Sequence, residues 1–294
     1  MSYKTFLGIS PFHPTPSLGP LRTELYIYVF ARKYSGDVYL KSDDTNPRGQ
    51  SEEYFQSHID ILKECGCSFL DKEQTYFNGD IIFQSKNKEI YREYFSKLEK
   101  DQLVSEKNRL VSLDIQALGK HVGVSDLVVN DILKGEINFN VAKSGYSYIP
   151  LYSVDSDRFF FHLTTVVDEE IMGINLLMRG EDKISVAPIH DLIRTYFQMK
   201  IPDYLHLPLL MDASTGKRQR GEEYLLERML KDFPLQVLVV YALQSGYLLS
   251  KGEKFSDLQS FIDIFDYKKI KKKSGNFVST DLEKIARKFG VHTR

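Results

Sequence analysis

A short apolar run, Phe6-Leu7-Gly8-Ile9, feeds a Pro- and Gly-punctuated turn, Ser10 to Pro20, which stops where Leu21-Arg22-Thr23 opens a segment with apolar residues at helical spacing. Strand, tight loop and helix start in that order restrict the chain to α/β organisation. The unpaired backbone N–H groups at such a helix start, together with the positive end of its dipole, make the loop a natural seat for the phosphates of a nucleotide. Junctions of this kind occur throughout α/β proteins, so the loop alone does not name a ligand.

Two later segments add specificity. Val166 to Asp182 contains Met178-Arg179-Gly180-Glu181-Asp182, and it is followed by His206-Leu207-Pro208-Leu209-Leu210-Met211-Asp212 and by the loop Ser214-Thr215-Gly216-Lys217-Arg218-Gln219-Arg220. In that order behind the Pro/Gly turn, these segments resemble the catalytic core of class I glutamyl-tRNA synthetases. Phe30-Ala31-Arg32-Lys33, Leu40-Lys41-Ser42-Asp43-Asp44-Thr45-Asn46 (where the family has Arg-Ile-Glu-Asp-Thr-Asp) and Glu89-Ile90-Tyr91-Arg92-Glu93-Tyr94 extend the resemblance over almost the whole chain. Several co-linear motifs constrain more than any one of them.

The resemblance implies an α/β fold: a Rossmann-like doubly wound parallel sheet, an inserted α+β lobe that holds the acceptor end of tRNA, and a C-terminal helical stem-contact region. The corresponding divisions are 1–84 and 153–232 for the two halves of the catalytic domain, 85–152 for the lobe and 233–294 for the helical region. Glu89 to Phe139 reads as polar and helical, Val128 to Tyr152 as a small antiparallel element, and Phe159 to Leu163 as the strand that resumes the sheet. Glu222 to Lys231 and Pro234 to Leu249 read as amphipathic helices. The basic run Lys268 to Lys273 suits either tRNA phosphates or a solvated helical face.

What the resemblance implies for chemistry is formation of an aminoacyl adenylate from ATP, with Mg2+, and transfer to tRNA or another acceptor. The catalytic and ATP-binding positions are then Ser17 and Gly19 in the first signature and Lys217 and Arg220 in the second, with Asp182 at the ribose and Leu210 also at the nucleotide. The amino acid falls to Ser10, Asp43, Phe161, Thr165 and Arg179, with Asp43 receiving the ammonium and Arg179 a carboxylate. The chain departs from the family pattern at several of these positions. Ser17 replaces the leading His of the first signature, and Gln219 replaces a Ser of the second. Phe6 or Leu7 stands where the family carries the Arg for a side-chain carboxylate, and Phe161 and Thr165 replace Tyr and Asn. A pocket so altered suits a less polar side chain than glutamate; the same aromatics also suit an ordinary core.

Composition bounds the alternatives. With 294 residues and a formal charge of −1, the chain is large enough for a core and a second lobe, and any nucleic acid must meet a local basic face. Only Cys65 and Cys67 occur, too few for a disulfide scaffold or a full zinc shell, so no zinc is expected and a reducing, cytoplasmic setting is. No membrane partner is expected, and the oligomeric expectation is a monomer or weak dimer. Two other functions fit the same residues: a catalytically silent relative that binds tRNA or a protein, and a ligase that modifies a tRNA base.

Overall fold

The computed structural model describes residues 2–45, 52–68, 81–213, 215–216 and 222–291. Strand β1 (Lys4–Ile9) passes through the Pro/Gly loop into α1 (Leu18–Tyr34), followed by β2 (Asp37–Ser42), α2 (Glu52–Glu64) and β3 (Ile82–Phe83). The three strands are parallel in the order β1-β2-β3, with Phe6 opposite Tyr39 and Gly8 opposite Lys41. Helix α1 ends at Ser35 in the left-handed conformation (φ 52), with Arg32 and Lys33 in its last turn opposing the helix dipole.

Next come α3 (Lys88–Lys100), β4 (Val104–Lys107), β5 (Leu110–Asp114), α4 (Ile115–Val122), β6 (Asp126–Asp131), β7 (Gly135–Asn140), β8 (Tyr148–Ser153) and β9 (Arg158–Phe159). The expectation of helix throughout Glu89 to Phe139 is therefore corrected. Asn108 and Arg109 (φ 53 and 62) turn β4 back onto β5, where buried Val111 and Leu113 alternate with more exposed neighbours over only five residues, too short a run to declare a strand. Asp114 caps α4 by accepting from Gln116 N and Ala117 N, both at 2.9 Å, and Gly123 (φ 72) ends it. Strands β4, β5, β8 and β9 form an antiparallel sheet, whereas β6 and β7 pair with each other and join a different one.

That other sheet contains β10 (Leu176–Gly180) and β11 (Asp203–Leu207), which flank α6 (Ala187–Phe197), in the order β10-β11-β6-β7. Strands β10 and β11 are parallel, and β11 meets β6 at Tyr204 opposite Asp131. The strand expected at Phe159 to Leu163 is instead the end of β9 followed by helix α5 (Phe161–Ile171). Leu163 to Glu169 are all buried, and packing on every side of the helix overrides the strand preference of its aromatic and β-branched residues.

Asn175 sutures the two parallel units at the amino ends of their strands. Its N donates to Lys4 O at 3.1 Å, its Oδ1 accepts from Lys4 N at 2.7 Å, and its O accepts from Asp203 N at 2.9 Å. On one face Leu7, Ile9, Leu176, Met178, Leu205 and Leu207 join a core with α1; on the other Phe6, Tyr39, Leu177 and Tyr204 form a second cluster. With β1 and β10 as the central neighbours, chain order runs outward in both directions, so the carboxyl ends of these strands border the switch-point crevice.

The chain then runs through β12 (Leu210–Met211), α7 (Leu226–Met229), α8 (Leu235–Ser245), α9 (Leu258–Ile264), β13 (Gly275–Asn276) and α10 (Ser279–Lys288). The helix expected over Glu222 to Lys231 is only a 3-10 turn and the short α7, and α8 is not amphipathic, because Val237 to Leu243 are buried without a break. Lys268 to Lys273 do not form one helical face: Lys269 pairs with Glu253 at 2.6 Å and Lys271 Nζ donates to Ser245 O at 3.0 Å. Among the described residues, no helix is long and apolar enough to cross a membrane.

Buried Arg22 couples α1 to the loop after β11, its Nη1 donating to Pro208 O at 2.6 Å. Gly246 leaves the room for it: a Cβ there would meet the Arg22 guanidinium and lie 2.9 Å from the Tyr26 hydroxyl. Gly246→Ala is expected to cost about 1–3 kcal/mol, as overpacking does, read as a lower urea midpoint. An unchanged midpoint contradicts this packing.

Candidate active site

The carboxyl ends of β1, β2, β10 and β11 deliver Ser10, Asp43, Gly180 to Asp182, and Pro208 to Leu210 to one rim of the sheet. Side-chain alternation then sorts the candidates by face. Phe6, Gly8, Lys41, Asp43, Arg179 and His206 share the face covered by α5 and α6, whereas Leu7 points into the opposite core. Of the two positions replacing the family's Arg, Phe6 is thus the one beside the amino-acid residues. Gly8 keeps the approach open, because a Cβ there would lie 3.0 Å from the Phe6 ring and 3.4 Å from Asp43 Oδ2.

Under this rim lies an ammonium that the sequence reading did not single out. Lys41, 1% exposed, places Nζ 2.8 Å from Asp43 Oδ1, 3.8 Å from Asp168 Oδ2 and 5.0 Å from the centre of the Phe6 ring. Burial pulls Lys41 down, but Asp43 and Asp168 outweigh it and the ammonium titrates above its ordinary value. Asp168 also accepts from Tyr91 Oη at 2.6 Å and from Gln84 Nε2 at 2.7 Å. Burial nevertheless raises its carboxyl to about 6, against the pull of Lys41 and these donors. Lys41 stands in the quoted Leu40–Asn46 motif, and Asp168 opens the acidic run Asp168-Glu169-Glu170 after Val166-Val167; those were the available signals.

The loop after β2 is fixed from below. Asp44 accepts from Ser85 N at 2.8 Å and from Ser85 Oγ at 2.5 Å, while Arg158 Nη1 donates to Thr45 O at 3.1 Å. Asp43 remains partly open at the rim, with 24% of its side chain exposed. Phe161 and Thr165 sit one turn apart on α5, not on a strand. Phe161 is half-buried against His190, with ring centres 5.3 Å apart, and Thr165 is buried with an Oγ1 that has no hydrogen-bond partner.

Arg179 rises from β10 with Cζ 5.2 Å above the Tyr204 ring and Nε donating to His206 Nε2 at 3.2 Å, and its Nη2 is buried without a hydrogen-bond partner. Tyr204 is in turn held by Asp191 and by Arg194 Nη1 at 2.9 Å, and Arg194 pairs with Glu169. A guanidinium on the inner sheet face with an N–H left without a partner can bind a carboxylate.

The nucleotide candidates lie along the same rim. Ser17 is the N-cap residue of α1 and makes no side-chain capping bond, so its hydroxyl does not serve the helix. Gly19 has open space where a side chain would stand. Asp182 occupies the 3-10 turn after β10, beside Gly180, whose missing Cβ would lie 2.5 Å from Asp182 Oδ1. Leu210 is buried in β12. Lys217 and Arg220 lie outside the described residues, but the backbone beyond them meets the first loop: Ser17 bridges to Leu225, and Leu226 N donates to Pro16 O at 3.0 Å. His13 is exposed, and its carbonyl lies 3.0 Å from His58 Nε2.

Known proteins resemble this chain in sequence and in fold. The family model described as class I tRNA synthetases (E and Q), catalytic domain, matches residues 12–103 and 120–284. A glutamate–tRNA ligase 1 of Helicobacter pylori (strain HPAG1) is 26% identical over 89% of this chain and 62% of its own length. A glutamate–tRNA ligase of Methylacidiphilum infernorum is 28% identical over 90% of this chain and 60% of its own length, so the chain spans about three fifths of such relatives. Among solved structures, a glutamate tRNA ligase from Elizabethkingia meningosepticum in complex with its amino acid superimposes with a TM-score of 0.74 at 16% identity, covering 98% of this chain and 70% of that one. The glutamate-tRNA synthetase of Elizabethkingia anophelis gives 0.73 at 15%, with the same two coverages of 98% and 70%.

The buried carboxyl of Asp168 yields a pH test. Because its folded value, about 6, lies above the ordinary 3.8, the folded state holds a proton that the unfolded chain releases between them. Stability from this group is therefore full below pH 4 and declines by roughly 3 kcal/mol as pH rises to about 6. Urea titrations across this range should show wild type losing stability relative to Asp168→Asn as pH rises. A difference that stays flat contradicts the assignment.

Proposed function

The chain belongs to the class I tRNA synthetase family of E and Q type catalytic domains, and on that premise we propose that it activates an amino acid with ATP and passes the aminoacyl group to a tRNA acceptor end. The observation that carries this reading is Arg179: a buried, unpartnered Nη2 on the sheet face that also bears Asp43, at the carboxyl ends of the central strands. Arg179 holds the α-carboxylate, and Asp43 takes the ammonium. The carboxylate oxygen attacks the α-phosphorus of ATP, the bond to the bridging oxygen breaks, and pyrophosphate leaves; the acceptor hydroxyl then attacks the carbonyl and AMP departs. Positioning and cationic stabilisation of the phosphoryl oxygens supply most of the catalysis.

Ser17 and Gly19 present the α1 N-terminus to the phosphates, and Lys217 and Arg220 bring charge from the other side. Asp182 grips the ribose and Leu210 adjoins the base. Among the described residues no group of three His, Cys, Asp or Glu side chains is placed to hold a metal. That suits Mg2+, which rides on phosphate oxygens and water. The lobe at 85–152 is the proposed holder of the acceptor end.

For the side chain of the amino acid, Phe6, Phe161 and Thr165 favour an apolar or hydroxyl-bearing group over glutamate. Lys41 does not replace the missing Arg, because two carboxylates already surround its single charge. A third carboxylate there would bring repulsion and an uncompensated buried charge. The silent-relative reading draws on the first signature, Ser17-Leu18-Gly19-Pro20, which offers a hydroxyl and no imidazole.

ATP–pyrophosphate exchange with each proteinogenic amino acid separates these readings. One amino acid other than glutamate is expected to drive exchange, and Arg179→Ala is expected to lower kcat/KM by about 10- to 100-fold, the worth of a charge-assisted hydrogen bond. Folded protein that exchanges with none of them contradicts catalysis.

A further inference from the structure

We infer that His206, held by Asp131, is a positioning residue that presets the Arg179 guanidinium for the amino-acid carboxylate; this rests on the reading of Arg179 given above. Both side chains of the pair are fully buried, and His206 Nδ1 lies 2.7 Å from Asp131 Oδ2. The same oxygen accepts from His206 N at 2.8 Å, while Oδ1 accepts from Leu133 N at 2.9 Å and Lys134 N at 2.7 Å. Four donors converge on one carboxylate, so Asp131 is an acceptor only and His206 Nδ1 carries the proton.

That choice of tautomer leaves His206 Nε2 as a lone pair, and the donor facing it is Arg179 Nε at 3.2 Å. Tyr204 completes the clamp: its ring stacks on His206 at an interplanar angle of 6° and lies under the Arg179 guanidinium. With Nε engaged and one face covered, the flexible Arg side chain has its plane fixed, and the bare N–H is Nη2. Pre-ordering a guanidinium in this way lowers the conformational cost of binding a carboxylate. The same carboxylate–histidine logic that orients metal ligands here orients an arginine.

The arrangement also gives the β6–β7 hairpin a role in the site. Strand β6 pairs with β11 only at Tyr204 opposite Asp131, and from there the Asp131 carboxylate reaches the residue two positions on. A hairpin from the segment between the two sheet halves thereby sets the electrostatics of an arginine on β10.

The test uses the full chain and the amino acid that drives exchange in the wild type. His206→Leu is expected to raise the KM for that amino acid at least tenfold, with the KM for ATP changed less than twofold. His206→Gln, whose Oε1 can replace the Nε2 acceptor, is expected to return the KM to within threefold, and His206→Asn, which reaches only Asp131, is not. Unchanged amino-acid KM in the Leu variant, or equal losses in the Leu and Gln variants, overturns the inference. A nitrogen-15 NMR measurement of the wild-type His206 tautomer decides independently: a protonated Nδ1 with a bare Nε2 supports it, and the opposite tautomer overturns it even where a variant does not fold. Absence of exchange with every amino acid overturns the adenylate reading alone, and the tautomer then still judges the clamp.

Discussion

Everything in the site depends on a reversal of winding. From β1 the chain steps outward through β2 and β3, and from β10 it steps the other way through β11, with Asn175 tying the two units at their amino ends. Loops leaving neighbouring strands in opposite directions cannot cover the gap between them. Into that gap come a helix N-terminus from α1, a carboxylate from the end of β2 and a guanidinium from β10, each contributed by a different turn of the sheet.

The polar groups beneath the rim follow from burying charge in a low-dielectric layer. An isolated ammonium or guanidinium on an inner sheet face costs several kcal/mol, so each must bring its own partners. Lys41 has Asp43 and Asp168, the latter already held by Tyr91 and Gln84; Arg179 has His206 and Tyr204, supported by Asp131, Asp191 and Arg194. The two networks differ in what they leave over. Around Lys41 the charge is consumed, whereas Arg179 retains a donor. That difference is why the proposed function gives the ligand's carboxylate to Arg179 and not to Lys41.

How much of this was legible in the sequence depended on range. The Pro/Gly loop, Asp43 and Arg179 were legible because each lies within a short contiguous motif at the end of a strand. The partners were not: Gln84 and Asp168 are 84 residues apart, and Asp131 and His206 are 75 apart, so no local pattern joins them. Phe161 and Thr165 fall on a strand by the resemblance, where they stand for the Tyr and Asn of the family, and the burial of consecutive residues from Leu163 to Glu169 explains the helix found there. The choice between Phe6 and Leu7 likewise required the alternation of faces along β1, which a four-residue apolar run does not declare.

Nucleotide binding at the switch-point rim under the proposed function is tested by thermal unfolding of the full chain with and without ATP. Ligand that binds only the native state stabilises it by about 2.7 kcal/mol at a concentration a hundredfold above Kd. Millimolar ATP is accordingly predicted to raise Tm by several degrees, and Asp182→Ala to remove most of that rise. A Tm that does not move with ATP in the wild-type chain would contradict the account.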